Sequence, residues 1–196
     1  MLMSSKVSKP VILALENPRL FDIAPIFNLI QVGSRSGHFS NLYTQPRYMA
    51  GLGIQLFSLW ANETIELPDS SSHHANMKVL RADSDFAGFT ILLHEARRPA
   101  ETEIYMCGVV NDFRGRGLGE WMLRAALLEL PVGQTVFADC LPASLQMKSL
   151  LPKIGFDETH IRSTCEMPRA IQRYVHSGNQ DGFVLKARQS DNLRAA

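Results

Sequence analysis

Apolar residues recur along this chain at two spacings, and the places where the spacing changes mark the elements. Val11 to Leu15 is a short apolar run closed by Asn17-Pro18, which reads as a strand and a turn. After Asp22, a residue suited to capping, Ile23, Ile26, Phe27 and Ile30 fall three and four apart. That spacing predicts a helix to Val32, stopped by Gly33. The polar loop Ser34 to Asn41 carries His38, a candidate for substrate contact, although an exposed loop histidine with no task is the commoner case. Pro46 suits the first turn of a second helix to about Trp60, whose apolar face carries Tyr48, Met49, Leu52, Leu56 and Leu59. Leu67 to Asn76 contains Pro-Asp-Ser-Ser-Ser-His-His and reads as a surface loop. The adjacent His73 and His74 diverge and have no cluster to complete a metal site, so no metal is expected.

Three apolar-rich runs follow: Met77 to Ala82, Phe86 to Glu95 and Glu101 to Val110. They are separated by Asp83-Ser84-Asp85 and Arg97-Arg98-Pro99, as in an antiparallel meander, with Gly88 marking a bulge. From Leu118 to about Leu130 the pattern is helical and apolar on two stripes, so that helix is buried on two sides. Pro131-Val132-Gly133 ends it. Thr135 to Cys140 then reads as a strand parallel to Glu101–Val110, completing a right-handed βαβ unit. Pro142 begins a further helix containing Leu145, Met147, Leu150 and Leu151, and Gly155-Phe156 leads into a strand to about Ile161. A short helix from Pro168 to Val175, a turn from Gly178 to Gly182 and a strand from Phe183 to Ala187 close the pattern. The expected fold class is α/β with a mixed, mostly antiparallel sheet. The chain is expected to be one domain over residues 1–196, with its core in 11–187 and frayed tails at 1–10 and 188–196.

Composition narrows the function classes. At 196 residues with 45% hydrophobic and 20% charged residues, the chain has the balance of an ordinary globular domain. Lys and Arg total 20 against 19 Asp and Glu, so no global basic field argues for nucleic acid or a membrane surface. The 3 cysteines, Cys107, Cys140 and Cys165, lack the pairing of a disulfide framework. With no signal-peptide pattern and no apolar run approaching the roughly 18 residues of a membrane span, a cytoplasmic setting is expected.

The richest stretch is Arg114-Gly115-Arg116-Gly117-Leu118-Gly119, between a strand and a helix. Alternate glycines leave the backbone bare, and a helix start adds unpaired N–H donors and a positive dipole end, which together suit a phosphate or pyrophosphate. A Walker loop is excluded because Glu120 and Trp121, not Lys and Ser or Thr, follow Gly119. A dinucleotide fingerprint starting at Gly115 is excluded because it would need glycine at Glu120. What remains, R-x-x-G-x-G after a strand, resembles the acetyl-CoA pyrophosphate loop of the GNAT family of N-acetyltransferases. Val109-Val110-Asn111-Asp112-Phe113 resembles that family's approach to the loop, and Lys153-Ile154-Gly155-Phe156 its downstream Lys-Leu-Gly-Phe.

The resemblance implies a single GNAT-like domain with a sheet splayed at the cofactor and flanked by helices. It implies acetyl-CoA as the acyl donor, held by Arg114, Gly115, Arg116, Gly117, Leu118 and Gly119, with the pantetheine arm along Val109 and Val110. Ser144 takes the place of the family's asparagine. Acyl transfer to an amine also needs proton traffic. Glu103 stands where the histone-acetylating branch places its glutamate base. Leu151 replaces the tyrosine that the family often uses as acid, which leaves Tyr105, Tyr174, Cys140 or a water for that role. By strand alternation Glu103, Tyr105 and Cys107 share a face. The expected activity is acetyl transfer to a primary amine of a small molecule or protein, by a chain that acts alone or as a homodimer. Two other readings are a non-catalytic acyl-CoA-binding regulator and a toxin acting on aminoacyl-tRNA. The near-neutral charge argues against the latter.

Overall fold

Eight strands form one sheet in the computed structural model, which describes residues 11–67, 70–94, 98–162 and 171–177. In chain order the elements are β1 (Leu13–Glu16), α1 (Ile23–Arg35), α2 (Pro46–Asn62), β2 (Thr64–Glu66), β3 (Ser72–Ala82), β4 (Asp85–His94), β5 (Glu101–Val109), α3 (Leu118–Leu128), β6 (Thr135–Cys140), α4 (Leu145–Lys153), β7 (Asp157–Arg162) and β8 (Ile171–Ser177). The strand order is β1-β3-β4-β5-β6-β8-β7, with β2 also paired to β3. Every neighbour is antiparallel except β5 and β6, so the fold is the mixed, mostly antiparallel α/β sheet that the pattern predicts.

The apolar stripes of the helices divide the core in two. Ile26 and Ile30 of α1 and Leu52, Leu56 and Leu59 of α2 pack on Val79, Phe89, Ile91 and Leu93 on one face of the sheet. Leu123, Ala126 and Leu127 of α3 and Leu151 of α4 pack on Leu92, Ile104, Val136 and Ala138 on the other. Each fully buried side chain of this size contributes roughly 1.5–3 kcal/mol. The helix over 118–128 is buried on one face only, through Leu118, Met122, Leu123, Ala126 and Leu127, and not on two sides: Trp121 and Ala125 of the second stripe are half-buried and Leu128 is exposed. No helix among the described residues is long and apolar enough to cross a membrane.

Several local expectations change. Gly33 does not stop α1, which runs on to Arg35. It is small because the Phe39 ring lies where a Cβ would stand, 2.5 Å from that position. Ser72, His73 and His74 are not loop residues, since β2 captures them as the start of β3, and the His74 ring stacks on His94 with centroids 5.4 Å apart. Gly88 pairs normally, and the neighbouring Ala87 is the residue left out of the β3–β4 register. Pro142 lies in a turn closed by the Ser144 N–H on the Leu141 carbonyl, and α4 begins only at Leu145. Ile171–Ser177 is strand, not helix. Ile171, Tyr174 and Val175 have helical spacing, but β6 offers an antiparallel edge and Arg173 meets Asp139 across it. Here tertiary pairing overrides a short local pattern. The expected turn at 178–182, the strand at 183–187 and the tails at 1–10 and 188–196 lie outside the described residues.

Two irregularities shape the centre of the sheet. Ile91 pairs with Met106 and Leu92 with Ile104, so Tyr105 is an extra residue on β5, a bulge. The parallel ladder of β5 and β6 has three pairs, Glu101–Thr135, Thr102–Val136 and Glu103–Phe137, and then stops. The splay expected near Val109 and Val110 thus opens already after Glu103.

Asp22 has αR backbone angles and does not cap α1. Its carboxylate accepts from the Arg19 N–H at 2.7 Å and from Arg81 Nη2 at 2.9 and 2.7 Å, with Arg81 only 4% and Asp22 only 1% exposed. Asp22→Ala leaves a buried guanidinium with Glu16 alone, so denaturant melts are expected to show a loss of about 3–5 kcal/mol. Asp22→Leu with Arg81→Met should cost less than either single change.

Candidate active site

The chain leaves β5 at Val109, makes a single 3-10 turn over Asn111–Phe113 and enters α3 through the glycines. Gly115 and Gly117 both have φ of 76°, a left-handed conformation that costs other residues roughly 1–2 kcal/mol. Helical bonding begins with Trp121 N–H on the Gly117 carbonyl, so the preceding amide donors of the turn have no partner within the helix. Among the described residues no side chain caps them. The loop is thus shaped to receive an anion. Arg114 turns back, donating from Nε to the Val109 carbonyl at 2.8 Å, and Arg116 lies 5.8 Å from the centre of the Phe113 ring. Val110 is already engaged, its N–H on the Ala87 carbonyl and its own carbonyl accepting from Phe113, whereas the Val109 carbonyl keeps a second lone pair.

Beside this loop a cavity of about 880 Å³ passes through the gap between β5 and β6. On the α3/α4 side it is lined by the glycine loop, Met122, Cys140, Ser144, Met147 and Leu150. On the α1/α2 side it is lined by Leu29, Phe39, Leu42, Tyr43, Leu67 and Met106. Glu103 and Tyr105 stand at the passage between them. Among the residues singled out in the sequence, Glu103, Tyr105, Val109, Arg114, Gly115, Gly117, Leu118, Gly119 and Ser144 all line this one cavity. Arg116 and Val110 do not. The expected common face of Glu103, Tyr105 and Cys107 is corrected by the bulge. Met106 and Tyr105 both pack towards α1 and α2, and the alternation resumes with Cys107 on the opposite side, against the α3/α4 core.

Tyr105 meets a partner that the sequence did not reveal. Its hydroxyl lies 2.9 Å from that of Tyr43, which a short 3-10 turn over Asn41–Thr44 presents into the sheet face. Burial raises the Tyr43 pKa, an effect partly opposed by the bond to Tyr105, so this phenol stays protonated at neutral pH. Ser144 is buried and donates to the His38 carbonyl at 3.2 Å, tying the start of α4 to the α1–α2 loop across the cavity. His38 lines the cavity, while His94 bonds Thr102 away from it. Near Glu103, Asp139 of β6 accepts from Arg173 of β8 at 2.7 and 2.8 Å, and the guanidinium covers Phe137 at 4.4 Å. Tyr43 and the Asp139–Arg173 pair carry no sequence signal beyond residue type. Their positions depend on which loop folds over which strand.

Leu151, in place of the family's tyrosine, is fully buried among the α3/α4 core residues. No group of three potential metal-ligating side chains occurs among the described residues.

Residues 37–156, more than half of the chain, match the model of the acetyltransferase (GNAT) family. No curated protein matches the chain by sequence. Solved structures share its fold. The ribosomal L7/L12 alpha-N-protein acetyltransferase RimL, in complex with coenzyme A, is 11% identical with a TM-score of 0.63, covering 88% of this chain and 97% of that one. A chimera of the spermidine N-acetyltransferase SpeG from Vibrio cholerae and hSSAT is 14% identical with a TM-score of 0.58, covering 85% and 95%. The microcin C7 self-immunity acetyltransferase MccE, in complex with acetyl-CoA and AMP, is 11% identical with a TM-score of 0.61, covering 88% and 94%. At such identities the likeness is one of fold.

Burial pushes the Cys107 and Cys140 thiols from 9.0 up to about 12, which makes either a poor nucleophile. Peptide-resolved alkylation with iodoacetamide at pH 8 should therefore leave both unmodified in the folded protein and label both after denaturation. Rapid labelling of Cys140 in the native state would restore it as a nucleophile.

Proposed function

The chain belongs to the acetyltransferase (GNAT) family, and on that premise we propose that it carries an acetyl group from acetyl-CoA at the glycine loop to a primary amine at Glu103. The observation that carries this reading is the single cavity joining the two places through the opened sheet.

Acetyl-CoA supplies an activated acyl group and a thiolate leaving group, so the chain must contribute mainly position and proton traffic. The amide donors of Arg114 to Gly119 and the N-terminal dipole of α3 suit its pyrophosphate. Among the strand residues Val109 offers a carbonyl lone pair to the pantetheine arm, and Val110 contributes by shaping the turn. Ser144 lines the arm's path and holds the cleft wall through His38.

Glu103 takes a proton from the incoming ammonium, directly or through a water, so that the nitrogen lone pair is free to attack. As the C–S bond of the tetrahedral adduct breaks, Tyr105 gives its proton to the leaving thiolate, and the proton that the attacking nitrogen then sheds passes through water to restore the phenol. The Tyr43 hydroxyl, kept protonated by burial, donates to the Tyr105 oxygen as the Tyr105 proton departs. The missing tyrosine at Leu151 is thus answered from the opposite wall of the cleft. An aminoacyl-tRNA acceptor fits poorly, because no cluster of basic side chains lines the cavity around Glu103 among the described residues. Free Cys107 and Cys140 suit a reducing, cytoplasmic setting.

Glu103→Gln is expected to lower kcat about 100- to 10,000-fold while acetyl-CoA affinity stays the same. The deficit should shrink as pH rises and free amine accumulates. Most of the turnover surviving at neutral pH, with cofactor affinity lost, would make Glu103 a cofactor-side residue. Gly117→Val forces a branched side chain into the left-handed region, at φ of 76°, and so reshapes the turn that presents the amide donors. Calorimetry should show acetyl-CoA affinity falling at least about 10-fold while the melting transition persists. Unchanged affinity would dissociate the loop from the cofactor.

A further inference from the structure

The two halves of the cavity differ in chemistry, and the half beyond Glu103 restricts what the acceptor can be. On the α1/α2 side the walls are Leu29, Phe39, Leu42, Leu67 and Met106. Their placement is built into the backbone. Gly33 lets the Phe39 ring lie against α1, and Gly108, where a Cβ would stand 3.2 Å from Leu29 Cδ2, lets Leu29 settle over β5.

Charge is scarce in this half. Among the described residues that line it, Glu103 is the carboxylate at the passage. The nearby Asp139 accepts the two hydrogen bonds from Arg173, whose charge also acts on Glu103. The remaining polar groups carry no negative charge: they are chiefly the paired hydroxyls of Tyr43 and Tyr105, with the His38 side chain in the loop before them. An acceptor with one ammonium finds its counter-charge at Glu103. A second ammonium further along would sit against leucine, phenylalanine and methionine, with no anion among the described residues to meet it, and an unpaired charge in an apolar site is strongly disfavoured.

We infer that the acceptor is a primary monoamine carrying an apolar body, alkyl or aromatic, which the Leu29, Phe39, Leu42, Leu67 and Met106 chamber receives while the amine lies at Glu103. This rests on the acetyltransferase reading above and narrows it. It separates this chain from an acceptor such as spermidine, the substrate named for the Vibrio cholerae neighbour. Selection here comes from apolar burial, which rises steadily with chain length and does not discriminate sharply between similar shapes.

The test uses the full-length protein, saturating acetyl-CoA and release of free coenzyme A thiol, with ethylamine, butylamine, hexylamine and phenethylamine beside 1,6-diaminohexane and spermidine. Each added CH2 should raise kcat/KM about fourfold until the chamber is filled. Hexylamine should exceed 1,6-diaminohexane at least about tenfold. Leu42→Glu, which adds an anion to the chamber wall, should narrow that ratio at least about tenfold without changing acetyl-CoA affinity. A flat or falling series, or a preference for the diamine, overturns the inference. So does a preference for octanoyl-CoA over acetyl-CoA with ethylamine, which would give the chamber to the acyl chain. If no amine is acetylated and acetyl-CoA does not bind, the acetyltransferase reading itself fails, a result distinct from turnover with the wrong preference.

Discussion

The ladder between β5 and β6 has only three residue pairs, and what this sheet can bind depends on where that ladder ends. A parallel pair is slightly less stable per residue than an antiparallel one, and the bulge at Tyr105 twists β5 two residues beyond its last partner on β6. Past that point β5 remains bonded to β4, through Gly88 and Val109, while β6 remains bonded to β8, through Cys140 and Gln172. Each strand keeps one neighbour and releases the other, so a gap opens through the middle of a sheet that is continuous at its base. A residue count without the bulge would have aimed Met106 and Cys107 at opposite faces from those they occupy.

The two helical layers use that gap differently. The α3/α4 layer brings the glycine loop and its amide donors to one mouth, and the α1/α2 layer brings Tyr43 and an apolar wall to the other. Ser144 ties the layers together where α4 meets the loop holding His38. At the far edge, β1 and the turn before α1 are fixed to β3 by Arg81 between Glu16 and Asp22, which holds α1 in place as one wall of the cavity. A buried ion pair of this kind adds little over well-packed apolar residues of the same volume, although removing one partner is costly.

Much of this was legible in the residues. The meander, the crossover and the loop from Arg114 to Gly119 follow from hydrophobic spacing and from glycines whose only ready use is a bare, positively curved turn. The rest depended on contacts between distant segments. Ile171 to Ser177 has helical spacing yet folds as a strand, because β6 presents an unpaired edge and Asp139 a partner for Arg173. Tyr43 was one tyrosine in a polar loop until the fold set its hydroxyl against Tyr105. The bulge leaves no mark that alternation registers, so Cys107 lies on the face opposite to the one that strict alternation gives it.

The central claim is that the gap between β5 and β6 is the passage by which the acyl donor reaches Glu103. A crystal structure with coenzyme A tests it most directly. The pyrophosphate should lie on the amides of Arg114 to Gly119 and the pantetheine arm between β5 and β6, beside the Val109 carbonyl, with its sulfur facing Glu103 and Tyr105. Coenzyme A bound elsewhere on the sheet, or the two strands closed and hydrogen-bonded beyond Glu103 and Phe137, would contradict it.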